Sequence, residues 1–233
     1  MDLNAFDALT FDCYGTLIDW EKGLLEALAP VLGTHGVPHP GDDLLLERFA
    51  LAESEIQAGP YRPYREVLQQ VLRRLGGDLA FTPSAHELAA FGASVAVWPP
   101  FADSPAALAA LGERFRLAVV SNVDDDLFVG SAAQLRVGFA EVVTAQQVGS
   151  YKPAPAHFHE VLRRLDLPRD RVLHVAQSLY HDVAPAKELG FTCVWVNRRA
   201  GRPGGGATAP ATATPDLEVT DLAALVARVE EVG

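Results

Sequence analysis

The sequence predicts an α/β protein, a parallel sheet with helices on both faces, interrupted early by a purely helical insertion. Three observations predict it. Short, densely apolar runs recur along the chain, the pattern of strands buried on both faces, and the first of them stops abruptly at a carboxylate. From residue 98 onward such runs alternate with segments of helical spacing, as crossover units require. Between Leu17 and about Trp98 no convincing strand appears, and a βαβ chain leaves so long an interval only where a separate helical module is inserted. The expected division is residues 1–17 with 98–233 as the core and residues 18–97 as a helical cap.

The first strand falls in residues 6–11 and runs straight into Asp12-Cys13-Tyr14-Gly15-Thr16-Leu17. Asp19 can cap a helix through Leu24, Leu25, Leu28 and Val31, which Gly33, Gly36, Pro38 and Pro40 then break. Helical patterns follow through Leu44, Leu45, Phe49 and Ile56, then Val67, Leu68, Val71, Leu72 and Leu75, then Leu88, Ala89 and Phe91. Ser104-Pro105 reads as a helix start, the hydroxyl accepting from an early amide and the proline taking the first helical position.

Residues 117–120 form the next strand, followed by a helix over 127–135, a short apolar segment at Val142-Val143 and a helix over 155–165. Residues 172–175, a helix ending at Gly190 and residues 193–196 complete the alternation. Residues 198–215, rich in Gly, Ala, Pro and Thr, read as a long mobile loop. Order returns at residues 216–219 and in a helix through Leu222, Leu225 and Val229.

Length and composition narrow the function. The 233 residues, 49% of them hydrophobic, suffice for a sizeable apolar interior. No apolar run approaches the roughly 18 residues of a spanning helix, and the acidic start lacks an export signal, so the expected compartment is the cytoplasm. Cys13 and Cys193 cannot make a disulfide framework and suit a reducing compartment. A formal net charge of −11 excludes nucleic acid and anionic membranes as expected partners. An anionic substrate would need a locally positive pocket.

Asp12-x-Tyr14-Gly15-Thr16-Leu17 after a first strand resembles motif one of the haloacid dehalogenase superfamily, in the form found in its 2-haloacid dehalogenase branch. Most phosphatases of that superfamily carry a second aspartate where this chain has Tyr14. Ser121-Asn122 at the end of the second core strand resembles motif two, and Lys152-Pro153 before a helix resembles motif three. The likeness covers nearly the whole chain, down to a tail like residues 215–220. Read singly, each element has a plainer meaning: Asp12 as a cap or turn residue, Ser121 and Asn122 as a turn, Lys152 as a solvated surface lysine.

The fourth segment, residues 175–182, departs from the family. Phosphatases usually show two aspartates there for Mg²⁺; aligned on Asp182, the first of these is Gln177. The dehalogenase pattern is matched only through Ser178 and Asp182, with one extra residue between them. Phe158 stands where dehalogenases tend to have a tyrosine.

The resemblance implies a Rossmann-like core with an inserted cap and a hydrolase that works through an aspartyl ester on Asp12. Thr16 and Ser121 would position that carboxylate, Lys152 would keep it ionised, and Tyr14, Asn122 and Ser178 would contact substrate. Asp182 would activate water, with His181 as a second base or merely a cap. Arg48 on the second cap helix would assist the leaving group, with Arg62 and Arg65 as rivals. The expected substrate is a small anionic 2-haloacid, no cofactor is required, and a homodimer is one assembly the likeness allows.

Two alternatives stay open on the sequence alone. One is a phosphohydrolase whose Mg²⁺ is held by Asp12, the Tyr14 carbonyl and Asp182; the other is a non-catalytic binding module. Charge favours dehalogenation, because Tyr14 and Gln177 remove two of the usual metal-binding anions. A halide, unlike an alkoxide, also leaves without a proton. His157-x-His159 places its two rings on different helix faces, and the glycines at 204–206 resemble a phosphate cradle only in composition.

Overall fold

Each predicted apolar run forms a strand in the computed structural model, which describes residues 1–201, 206–208 and 211–231. The strands are β1 (Ala8–Phe11), β2 (Arg116–Ser121), β3 (Glu141–Thr144), β4 (Val172–Ala176), β5 (Thr192–Val196) and β6 (Leu217–Val219). All pair in parallel, in the order β3-β2-β1-β4-β5-β6. Alternation along the strands divides the interior in two. Leu9, Phe11, Val119 and Val175 join one apolar cluster, whereas Ala8, Ala118, Val120 and Val172 join another on the opposite face. Both faces are therefore covered, which is why the strands read as continuous apolar runs.

The sheet order reverses direction at β1, whose neighbours are β2 on one side and β4 on the other. Crossovers leave to opposite sides there, so a crevice opens beyond the carboxyl ends of these strands. Asp12 is the first residue past β1, and its amide donates to the Val175 carbonyl of β4 at 3.1 Å.

Between β1 and β2 the chain forms α1 (Trp20–Thr34), α2 (Asp42–Gln57), α3 (Tyr64–Asp78) and α4 (Ala85–Ala93) before α5 (Ser104–Gly112). The exit and return are adjacent: Ile18 bridges Pro100, the Asp19 amide donates to Pro99 and the Phe101 amide to Leu17. Asp19 caps α1 as expected, accepting from the Lys22 amide, and Ser84 and Glu87 close a reciprocal capping box on α4. The apolar stripes of α2 and α3, including Phe49, Val67 and Leu72, merge with the cluster on one sheet face. Gly23 on α1 has no room for a side chain, because a Cβ there would lie inside the Trp98 ring.

The remaining helices are α6 (Asp125–Leu135), α7 (Ala145–Val148), α8 (Ala156–Leu165), α9 (Ala184–Glu188) and α10 (Leu222–Glu230). No helix among the described residues is long and apolar enough to cross a membrane. Two local expectations need correction, and one element went unread. Ser104 does not cap α5: it lies inside the helix, and its hydroxyl donates to the Leu17 carbonyl at 2.8 Å. The single turn α7 was not legible, being only four residues long and capped by Thr144. Residues 198 and 199 are not loose, since Arg198 pairs with Asp103 and Arg199 with Glu21. The rest of the expected loop lies partly outside the described residues, as do Gly204 and Gly205.

Candidate active site

Gly15 explains how Asp12 is presented. Its φ of +94° lies in the left-handed region that side chains avoid, so the chain can turn sharply after the strand and leave the carboxylate at the mouth of the crevice. Thr16 then folds back, its hydroxyl donating to Asp12 Oδ2 at 2.7 Å while accepting from the Gln177 amide. Asp12 Oδ1 accepts from Lys152 Nζ at 2.9 Å. The same ammonium donates to Asp182 Oδ1 at 2.6 Å and to the Val120 carbonyl at 2.9 Å. Lys152 is only 1% exposed. The reading of a solvated lysine is therefore excluded: three acceptors hold this one.

Asn122 keeps that lysine in place. Its side-chain oxygen accepts from the Lys152 amide at 2.7 Å, and its Nδ2 donates to the Lys152 carbonyl at 3.1 Å. The amide is thus spent on the loop that carries Lys152, although Asn122 also lines the cleft. The Ser121 hydroxyl, expected to position Asp12, has no hydrogen-bond partner among the described residues. Asp182 Oδ2 is likewise buried and unpartnered, whereas its other oxygen also meets His174 Nε2 at 3.1 Å.

His174 is the residue that reading the sequence missed. It sits inside β4, fully buried, with Nδ1 3.0 Å from the Thr10 hydroxyl. A polar chain therefore runs Thr10, His174, Asp182, Lys152, Asp12, Thr16 across the sheet. The signal was a lone histidine in an otherwise apolar strand, because a buried polar group needs partners. Phe158, in the expected tyrosine position, packs edge-on against this histidine at 5.2 Å.

Burial and charge act on these carboxylates in opposite directions. Burial pushes the Asp12 carboxyl above its ordinary range, and neither the Lys152 ammonium nor the Thr16 hydroxyl fully offsets it. Asp182, despite the same burial, is held down at about 2 by Lys152 and His174. Lys152 does act downward on the Asp12 pKa, as expected, but two carboxylates share this one cation, and burial together with the negative charge of Asp182 works the other way. Burial raises the Cys13 thiol far above its usual value, so it is no thiolate rival to Asp12. His181, pushed down to about 4 by burial, is neutral near pH 7 and rests against the Ser178 hydroxyl.

The cleft above these groups is small, with a cavity volume of about 40 Å³. Asp12, Lys152 and Asp182 lie at its floor, with Ser178 and His181 beside them. Tyr14 and Trp20 form one wall, Tyr14 anchored by a hydrogen bond to Ser131 at 3.0 Å. From the helical insertion come Glu53, Gln57 and Tyr64.

No cap arginine lines the cleft among the described residues. Arg48 has a buried Nη1 with no partner among the described residues, and Arg65 pairs with Asp126. The charged and polar side chains that α2 does bring to the cleft are Glu53 and Gln57. Gln177, which replaces the metal-binding acid, lies next to Thr208 and outside this cleft. Among the described residues no three His, Cys, Asp or Glu side chains gather as metal ligands. His157 is buried against the Ser121 carbonyl while His159 is exposed, so they form no metal pair.

An aspartate beyond the first strand of a sheet in this order, held by a lysine from a neighbouring loop and facing a helical insertion, defines a class of hydrolase. Residues 6–190 match the model of the haloacid dehalogenase-like hydrolases, and the chain belongs to that family. It is 33% identical over 130 residues to the (S)-2-haloacid dehalogenase of Pseudomonas sp. (strain YL), a match spanning 54% of this chain and about half, 53%, of that protein. To (S)-2-haloacid dehalogenase H-109 of Pseudomonas putida it is 24% identical over 230 residues, 94% of this chain and 96% of the other. The solved structure of L-2-haloacid dehalogenase from Xanthobacter autotrophicus has the same fold, with a TM-score of 0.81 and 22% identity over 98% of this chain and 100% of that one.

Proposed function

We propose that this hydrolase cleaves the carbon–halogen bond of a short 2-haloacid through an ester on Asp12. A carboxylate oxygen of Asp12 attacks the carbon bearing the halogen from the side opposite the leaving group. The halide departs with the bonding electron pair, and an aspartyl ester forms. Water then attacks the ester carbonyl, the carbon–oxygen bond to Asp12 breaks, and a 2-hydroxy acid leaves. Asp182, whose second oxygen is unpartnered, takes the proton of that water, and His181 stands by as a neutral base. The free Ser121 hydroxyl and the nearby strand-end amides receive the substrate carboxylate. Residues 18–97 serve as the cap over the cleft.

One observation carries this reading: Lys152 Nζ bridges Asp12 and Asp182, at 2.9 and 2.6 Å. A divalent ion would draw on those same two carboxylates and the Tyr14 carbonyl, yet an ammonium already takes both carboxylates as partners and Gln177 adds no charge. The donor set fits a metal-free site better than a magnesium phosphatase. Tyr14, tied to Ser131, also offers no carboxyl to protonate an alkoxide.

The expected outcome is halide release from 2-chloropropionate that is unchanged by EDTA and abolished in Asp12→Asn. Phosphate release from a generic ester that requires Mg²⁺, with no halide release, would replace this reading.

A further inference from the structure

We propose that Glu53 sets the substrate class of this cleft, selecting a 2-haloacid that carries an ammonium group on its carbon chain as well as the carboxylate. The inference rests on the reading of the Asp12 cleft as the reaction site and narrows what enters it.

The charge of the cleft is the first argument. Lys152 is its one permanently charged cation among the described residues, and Asp12 and Asp182 already claim that charge. Glu53 adds a third carboxyl from α2. It is 4% exposed, and the one hydrogen bond its carboxyl makes among the described residues comes from the Tyr64 hydroxyl, donated to Oε1 at 2.6 Å. No lysine, arginine or histidine among the described residues pairs with it. A carboxylate taken from water without a cation is costly, and such a group persists where a ligand supplies the missing charge.

The surroundings of Glu53 make the same case. Tyr14, Trp20 and Tyr64 bring three aromatic rings to the cleft that Glu53 lines, and aromatic rings attract ammonium groups. Tyr14 packs edge-on against Trp98 and Trp20 against Phe49, so two of these walls are braced from behind. A cleft that joins this acidic, aromatic lining to Lys152 suits a zwitterion, such as a 2-halo-3-amino acid, better than a plain haloalkanoate.

Calorimetric titration of the whole protein with lactate and with 3-amino-2-hydroxypropanoate tests this without relying on turnover. These are the hydroxy acids that 2-chloropropionate and 2-chloro-3-aminopropionate would leave. The amino compound is expected to bind at least about tenfold more tightly than lactate. In Glu53→Gln the ratio should fall to near unity, with Glu53→Asp keeping part of it.

Equal affinity in the wild type, binding of neither compound, or a preference that survives in Glu53→Gln would overturn the proposal; the wild-type ratio decides by itself if the variants do not fold. Halide release from the two chloro acids separates the two readings. A binding preference without any halide release would sink the dehalogenase reading alone. Release from both acids with equal kcat/KM, in wild type and Glu53→Gln alike, would sink this one alone.

Discussion

The charge on Asp12 is set less by any single neighbour than by the way charge is distributed around it. Lys152 makes the ionised form tolerable in a site that burial would otherwise keep neutral, and Asp182 takes much of the benefit. Glu53 lacks such help, and burial raises its pKa to about 7. Its unfolded value is near 4.5, so between these two pH values the folded protein binds more protons than the unfolded chain. Stability then falls as pH rises through that window, by up to about 3 kcal/mol for this group above pH 7. Glu53→Gln should therefore match the wild type near pH 4.5 and unfold at higher denaturant concentration near pH 8. Parallel pH dependence of the two proteins in urea titrations would show that Glu53 is not desolvated as described.

At the scale of elements, the site depends on two local features. The loop after β4 closes in a π turn, Leu179–Val183, in which the Val183 amide reaches back to the Ser178 carbonyl. Such turns are rare and recur at functional sites, and this one carries Asp182 to Lys152. The second feature lies at the start of α3, where Pro63 offers no side-chain cap. Asp124, from the loop after β2, supplies it across the cleft, accepting from the Tyr64 and Arg65 amides at 2.8 and 2.9 Å.

This cap ties the insertion to the sheet, with the Tyr151 hydroxyl donating to the Arg62 carbonyl nearby. Asp124→Ala should cost about 1 to 2 kcal/mol of stability, as lost helix caps do. It should also raise KM more than it lowers kcat, because Tyr64 braces the cleft wall. Unchanged stability in denaturant titrations would mean that α3 holds its position without the cap.

For the molecule as a whole, the net charge of −11 and the burial of the one cleft lysine have a shared consequence. A surface of one dominant sign repels itself, and salt weakens that repulsion. The melting temperature should rise by a few degrees as NaCl goes from about 10 mM to about 0.15 M. Activity should be less sensitive, since the Lys152 pairs are shielded from solvent and hence from ions. A thermal scan that shows no rise with salt would indicate that exposed pairs such as Lys187–Asp216 already balance the surface.

Much of this was legible in the residues, for reasons that lie in the backbone. Strands buried on both faces have to be apolar throughout, and helices that bury one face have to repeat every three to four residues, so the sheet, the insertion and the lone carboxylate at β1 could be read directly.

The cation shared by Asp12 and Asp182, the histidine behind Asp182, the cap that Asp124 lends to α3 and the bond between Tyr64 and Glu53 are contacts between residues 8 to 140 positions apart. No local pattern encodes them. They exist because folding brings those groups out of water together, where an unpaired charge costs far more than it does on the surface, and only the tertiary structure decides which partner each one finds.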